Sequence, residues 1–319
     1  MARRKTQAFR PGTTHNHRSM FRAYISFCQH YGLQDIAPDA VTVTAYIEFL
    51  TRTFQSHRAI MNYVSAIRVL HKMVGVPCTA VDSYDVHLML RAVSLTLDRT
   101  LPVRQPITLD VLVQLVAICD ALPVYGPVYK CIFIIAFFGL LRLSNLVPDS
   151  AASFKVAENL CCADVWEQDP GLIVMMRWAK TQQKRSQPLL VALPCLSSRS
   201  NICPVAAFKA YRALVPYSAK NPMFTFPDGR IVTKALVRKA LKLMLIELKF
   251  PPTLLTFHGF RKGGAQLYYD IGLPIEDIKA HGGWASDCVW QYIAPGRFAP
   301  ATRVPRALMQ YLETRTSAM

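Results

Sequence analysis

The chain has 319 residues, 52% of them hydrophobic, which is enough for two domains with a core each. Lys and Arg outnumber Asp and Glu by 37 to 20, a net charge of +17, and both parts share the excess: 13 to 6 over residues 1–105 and 24 to 14 over 106–319. The expected partner is therefore a polyanion touched from two sides, while the apolar runs fall well short of the roughly 20 residues a bilayer crossing needs and no secretory h-region follows the first charges, so neither a membrane span nor a signal peptide is expected.

Residues 1–12 read as a basic arm. Over 13–100 the apolar spacing is helical, in HRSMFRAYISFCQHYGL, AVTVTAYIEFLTRTF, HRAIMNYVSAIRVLHKMVG and VDSYDVHLMLRAVSLTL, broken at Gly32, Pro38, Gln55–Ser56 and Gly75–Pro77. Pro102 and Pro106 bracket a linker over 101–107, and a second domain fills 108–319. That domain opens with helices near 108–120 and 127–141. GLIVMMRWAK and QPLLVALP then read as two strands flanking a turn. Farther on, FHGFRKGGAQLYYDIG forms a helix closed by Gly272 as a left-handed cap, and Pro274 opens the next helix, PIEDIKAH, which Gly282 and Gly283 stop. A short helix from Ser286 presents Tyr292. The fold class expected is mainly α, with a helical N-terminal domain and a mixed α/β second domain that carries a small β-sheet.

The chemistry-bearing residues lie in the second domain. Arg142 follows the apolar run CIFIIAFFGLL, so it emerges at the end of a buried element, where an arginine needs a partner or a ligand. His258 and Arg261, at i and i+3, project from one helix face. A phosphodiester passing to a new oxygen gathers charge on its non-bridging oxygens, and two guanidinium groups aimed there stabilise the transition state above the ground state. Singly, each signal has a bland reading. His15 and Arg18 also satisfy His-x-x-Arg, Tyr292 is one of 13 tyrosines with Tyr268, Tyr269 and Tyr311 as rivals, and the KTQQKR segment that holds Lys180 also fits a solvated basic hairpin. The nine cysteines have no Cys-x-x-Cys spacing and several lie in apolar stretches, which points to reduced thiols in an intracellular protein and away from disulfides or a zinc site.

The stretches GLLRLSNLVPDS (139–150), RWAKTQQKR (177–185), CPVAAF (203–208) and FHGFRKGGAQLYYDIGLPIEDIKAHGGWASDCVWQYI (257–293) resemble the tyrosine recombinases of the phage-integrase superfamily, and most of all the eukaryotic DIRS-type and Crypton-type mobile-element enzymes. The resemblance implies a core-binding domain over 13–100 and a catalytic domain over 108–319. It makes Arg142 the first arginine, Lys180 the hairpin lysine, His258 and Arg261 the His-x-x-Arg pair, Trp284 the counterpart of a second histidine in many relatives, and Tyr292 the nucleophile. It further implies double-stranded DNA as partner, a homotetramer on two DNA sites, a 3′-phosphotyrosyl intermediate and a nuclear location in a eukaryote. No cofactor or metal is expected, since no His or Cys cluster has ligand spacing and two arginines and a lysine can do what a metal ion does elsewhere. Two departures stand out. Asn145 occupies a position where many bacterial and phage members carry a carboxylate, and Trp284 and Tyr292 are eight apart, one fewer than in many bacterial relatives. Two rival classes remain: a domesticated, catalytically silent DNA-binding protein, and a tyrosine-type topoisomerase that relaxes DNA without exchanging strands.

Overall fold

The computed structural model describes residues 11–97, 104–169, 171–177, 188–196 and 200–294. The chain divides into two compact units between Val103 and Arg104. In the first, α1 (Pro11–Tyr31), α2 (Ala40–Thr51), α3 (His57–Val74) and α4 (Tyr84–Leu97) are joined by short loops, with a 3-10 turn at Ala80–Asp82 before α4. Helix α1 is described from Pro11, inside the segment read as an arm. Asp39 starts α2 by accepting the Thr42 N–H at 2.7 Å. The apolar faces of the four helices meet in a core of Tyr24, Phe27, Tyr46, Ile47, Ile60, Val64, Ile67, Val86 and Val93.

The second unit holds α5 (Leu109–Asp120), α6 (Gly126–Phe138), the one-turn α7 (Leu143–Leu146), β1 (Val165–Gln168), β2 (Gly171–Met176), β3 (Leu189–Pro194), α8 (Pro204–Arg212), α9 (Lys234–Glu247), α10 (His258–Asp270), α11 (Ile275–Gly282) and a 3-10 turn at Asp287–Gln291. Every side chain from Cys131 to Phe138 is buried, so α6 is the central helix, with α5, α8 and α10 packed around it. The strands form one antiparallel sheet in the order β1-β2-β3, with Val174 opposite Val165 on one side and Val191 on the other. The two strands read from the sequence are β2 and β3. Strand β1 was not legible, since VWEQ buries only Val165 and is too short to show a period of two.

Helix α10 lies unusually close to its neighbours. A Cβ on Gly263 would fall 1.6 Å from the Ile107 carbonyl oxygen, and one on Gly264 would fall 2.2 Å from that of Phe137. These two positions let α10 reach the C-terminal end of α6 and the strand-like segment 104–107. That segment is fastened to α10 and to the loop before it: Gln105 N–H donates to the Leu254 carbonyl and Ile107 N–H to that of Gly259, each at 3.0 Å, and Lys262 Nζ donates to the Arg104 carbonyl at 3.1 Å. A satellite cluster of Leu140, Ala265, Ile278, Trp284, Val289 and Ile293 sits beside the main core and anchors the chain around Tyr292. All nine cysteines are free. No helix among the described residues is long and apolar enough to cross a membrane.

Candidate active site

The site begins where α6 stops. The helix ends at Phe138 and not at 141, because Leu140 turns to φ 51°. Leu141 N–H reaches back to the Ala136 carbonyl at 3.0 Å and Leu140 N–H to that of Phe137 at 3.3 Å, the hydrogen bonds of a Schellman cap. Glycine usually takes the left-handed position of that cap, and a leucine there costs on the order of 1 kcal/mol. Leu140 is fully buried in the satellite cluster, which offsets the strain.

Two residues on, Arg142 caps α7. The Asn145 side-chain oxygen accepts the Arg142 backbone N–H at 2.9 Å, so the residue that stands in place of a carboxylate fixes the main chain of Arg142 and leaves its guanidinium free of it. That guanidinium forms no ion pair among the described residues and lines a cleft of about 530 Å³ together with His258.

Arg261 is 1% exposed. One of its terminal nitrogens donates to the Leu140 carbonyl and the other to the Gly282 carbonyl at 2.9 Å. Its Nε has no hydrogen-bond partner, and neither has the indole N–H of Trp284, which is 5% exposed. The guanidinium carbon lies 3.8 Å from the Trp284 ring centroid, a cation–π contact. Local sequence explains the stacking. Gly283, at φ 66°, allows the chain to turn after α11, and Gly282 carries no Cβ where one would lie 2.0 Å from the Trp284 ring.

Tyr292 follows the 3-10 turn, half-buried among these groups. Its ring centroid is 5.1 Å from that of His258 and 5.0 Å from that of Trp284, and the Arg261 guanidinium carbon is 5.3 Å away. Three of the other five residues singled out in the sequence, His258, Arg261 and Trp284, therefore meet around Tyr292. Arg142 joins them through the cleft it shares with His258, and Lys180 lies outside the described residues. Arg177, the described residue nearest before it, pairs with the buried Asp164 at 2.6 Å.

The rival tyrosines are otherwise engaged. Tyr268 donates its hydroxyl to the Phe138 carbonyl at 2.7 Å, and burial pushes its phenol up to about 12. His281 Nε2 lies 2.8 Å from the same carbonyl, which makes it a donor there and ties the end of α11 to the end of α6. Tyr269 stacks edge-on against Trp290 at 6.1 Å. Tyr311 lies outside the described residues.

The electrostatics are those of a site short of negative charge. Burial first, then the like charges of Arg261, Arg142, Lys262 and Arg104, push His258 down from its ordinary 6.5 to about 4. Burial and then Arg142 also lower Arg261, against which the neighbouring Tyr292 works. His258 is consequently neutral at pH 7. Its imidazole should titrate near pH 4 in an NMR pH series on the free protein, and Arg142→Ala should raise that midpoint. Since the unfolded chain takes up this proton near 6.5, His258 lowers stability as pH falls from about 6.5 towards 4. A midpoint near 6.5 that ignores Arg142 would contradict this arrangement.

The cleft has further cations that the sequence reading passed over: Arg104, Lys234, Arg238 and Lys242. The last three repeat every four residues along α9, a signal visible in KALVRKALK but indistinguishable there from a solvated helix face. Among the described residues no group of three His, Cys, Asp or Glu side chains converges to hold a metal ion.

No family model matches the chain, and no curated protein matches it in sequence. Solved structures do. The Tn1549 transposon integrase in complex with circular intermediate DNA superposes with a TM-score of 0.58 at 12% identity, over 89% of this chain and 98% of that one. The XerH site-specific recombinase bound to a palindromic difH substrate gives 0.54 at 16% identity, over 80% and 67%. A lambda integrase dimer bound to a COC′ core site gives 0.51 at 13% identity, over 89% of each chain. At these identities the likeness is one of architecture: the chain has the fold of the tyrosine recombinases and integrases, mostly helical with one small antiparallel sheet.

Proposed function

We propose that this protein is a site-specific DNA recombinase that cleaves and rejoins DNA through a covalent 3′-phosphotyrosyl intermediate. The observation that carries the reading is the Tyr292 ring set among His258, Trp284 and a buried Arg261 whose Nε, like the Trp284 N–H, has no partner. Buried donors without acceptors are costly, and unlike the unpartnered Tyr24 and Tyr46 hydroxyls in the core of the first unit, these two lie beside the candidate nucleophile. Phosphate oxygens satisfy them.

In the proposed reaction the Tyr292 oxygen attacks the scissile phosphorus and the bond to the 5′-oxygen breaks. Neutral His258 accepts the phenolic proton or hydrogen-bonds the phosphate, Arg142 and Arg261 hold the non-bridging oxygens, Trp284 donates its indole N–H, and Lys180 protonates the departing 5′-oxygen. The phosphotyrosyl bond conserves the energy of the bond broken, so a 5′-hydroxyl from a second duplex reverses the step without ATP. In this reading residues 13–100 form the core-binding domain, 108–319 the catalytic domain and 101–107 the linker, whose second half, 104–107, packs on the second unit. Four protomers assemble on two DNA sites, and the enzyme serves a eukaryotic mobile element in the nucleus, a reading supported by the eight-residue step from Trp284 to Tyr292, which resembles that of the DIRS-type and Crypton-type group.

The test is covalent capture. The full chain is incubated with a library of nicked duplexes of randomised sequence, and DNA that stays attached after denaturation is recovered and sequenced. A recombinase yields an adduct at a preferred sequence, whereas a silent DNA-binding protein yields none. A topoisomerase would instead relax supercoiled plasmid as a monomer, without dependence on paired sites.

The role of Lys180 has its own measurement. Lys180→Ala should cleave ordinary DNA roughly a hundred- to ten-thousandfold more slowly, the usual contribution of a general acid. It should recover on a substrate whose 5′-bridging oxygen is sulfur, because a thiolate leaves without a proton. Arg142→Ala should not recover, since its work is on the non-bridging oxygens. Equal rescue of both variants, or of neither, would assign the acid to another residue, with Lys184 the next to test.

A further inference from the structure

We infer that Arg104, Arg238 and Lys242 form a second phosphodiester subsite, which holds the backbone phosphate adjacent to the one attacked by Tyr292. This rests on the reading of the site as one that cleaves DNA. The three side chains line the same cleft as Arg142 and His258, within the second unit. Arg238 and Lys242 are one helical turn apart on α9, roughly 6 Å along its axis at 1.5 Å per residue, so both face the cleft. Neither they nor Arg104 forms an ion pair among the described residues. Lys234, at the head of the row, is already held by Asp149 at 2.8 Å and is left out for that reason.

Arg104 is the least expected member, since it is remote from α9 in sequence. Its backbone is fixed where it stands: its carbonyl accepts Lys262 Nζ at 3.1 Å, and the next residue donates to the Leu254 carbonyl. A fastened main chain with an exposed guanidinium suits a contact made to an incoming ligand. Its charge already reaches His258, whose pKa it helps to lower, so it lies within electrostatic range of the reacting group. The remaining walls combine the apolar Leu143, Leu241, Pro252, Leu255 and Phe257, which suit a sugar face, with the hydroxyls of Ser144 and Thr256. At about 530 Å³ the cleft has the volume of a small-molecule site, ample for one nucleotide beside the reacting phosphate. Three unpaired cations beside a largely apolar wall match a phosphate with its sugar better than a base edge.

The experiment pairs protein charges with DNA charges. On a sequence recovered by covalent capture, the phosphates flanking the scissile one are replaced singly by uncharged methylphosphonates, and cleavage is timed. Wild type should slow about tenfold or more at one flanking position, the usual worth of a charge-assisted hydrogen bond. Arg104→Ala and the Arg238→Ala/Lys242→Ala pair should be slow on ordinary DNA and lose little more at that same position, because the contact is already gone. Losses that simply multiply would overturn the inference, as would a loss of sequence preference with no sensitivity to the methylphosphonate, which would assign the residues to bases. In a second arm, binding to a short duplex of arbitrary sequence is followed against salt, and removing all three cations together should reduce the slope by about 1, the share of the one phosphate they hold. An unchanged slope rejects the subsite. If wild type forms no adduct with any library member, the recombinase reading fails, and the salt slope alone decides whether these three cations hold DNA phosphates.

Discussion

If Tyr292 is the nucleophile, as proposed, a Tyr292→Phe protein should bind duplex DNA as the parent does and leave no protein–DNA adduct after denaturation. The substitution removes one oxygen and keeps the ring, so the contacts with His258, Trp284 and Arg261 that pack the satellite cluster survive. What disappears is the only atom of that side chain able to form the ester. The loss should therefore be complete and not graded, unlike the removal of an assisting group. End-labelled suicide substrate run on a denaturing gel reads it directly. An adduct that persists, or one that peptide mapping traces to Tyr268, Tyr269 or Tyr311, would show that the nucleophile lies elsewhere.

The two arginines should separate when activity and stability are measured side by side. Either alanine variant should slow cleavage on the order of a hundredfold or more, the usual loss when a transition-state donor is removed. Arg261→Ala should also unfold at lower denaturant. It strips donors from the buried Leu140 and Gly282 carbonyls, each worth about 1–3 kcal/mol when left unsatisfied, and removes the cation stacked on Trp284. Arg142→Ala should be nearly neutral for stability, because Asn145 bonds the backbone of Arg142 and not its side chain. Full cleavage by either variant would take that arginine out of the site. Equal stability of the two would mean that the Arg261 hydrogen bonds contribute little to the fold.

Much of this site could be read from the chain because its parts are punctuated locally. Gly272 and Gly283 do lie in the left-handed region, at φ 88° and 66°, and Pro274 does precede α11, so the turns that bring α10, α11 and Tyr292 together were written in residues whose backbone preferences are strong. His258 and Arg261 open one helix, as their spacing required. The parts that escaped depend on contacts distant in sequence. Leu140 adopts a glycine-like conformation only because a cluster formed by residues 265–293 buries it. The cleft cations of α9 and Arg104 meet Arg142 only after α10 has packed against segment 104–107, and the glycines that permit this look, in sequence, like an ordinary helix with weak propensity.

Arg261 bonds two carbonyls that hold separate turns, one closing α6 and the other closing α11. If the protein cuts DNA as proposed, any descendant that gave up that activity, yet still had to fold, would remain under pressure to keep that arginine. The hydroxyl of Tyr292 carries no such obligation. A surviving Arg261 is thus a record of architecture, whereas a surviving Tyr292 is a record of use, and among copies of this gene the tyrosine is the position at which retired enzymes and working ones would part.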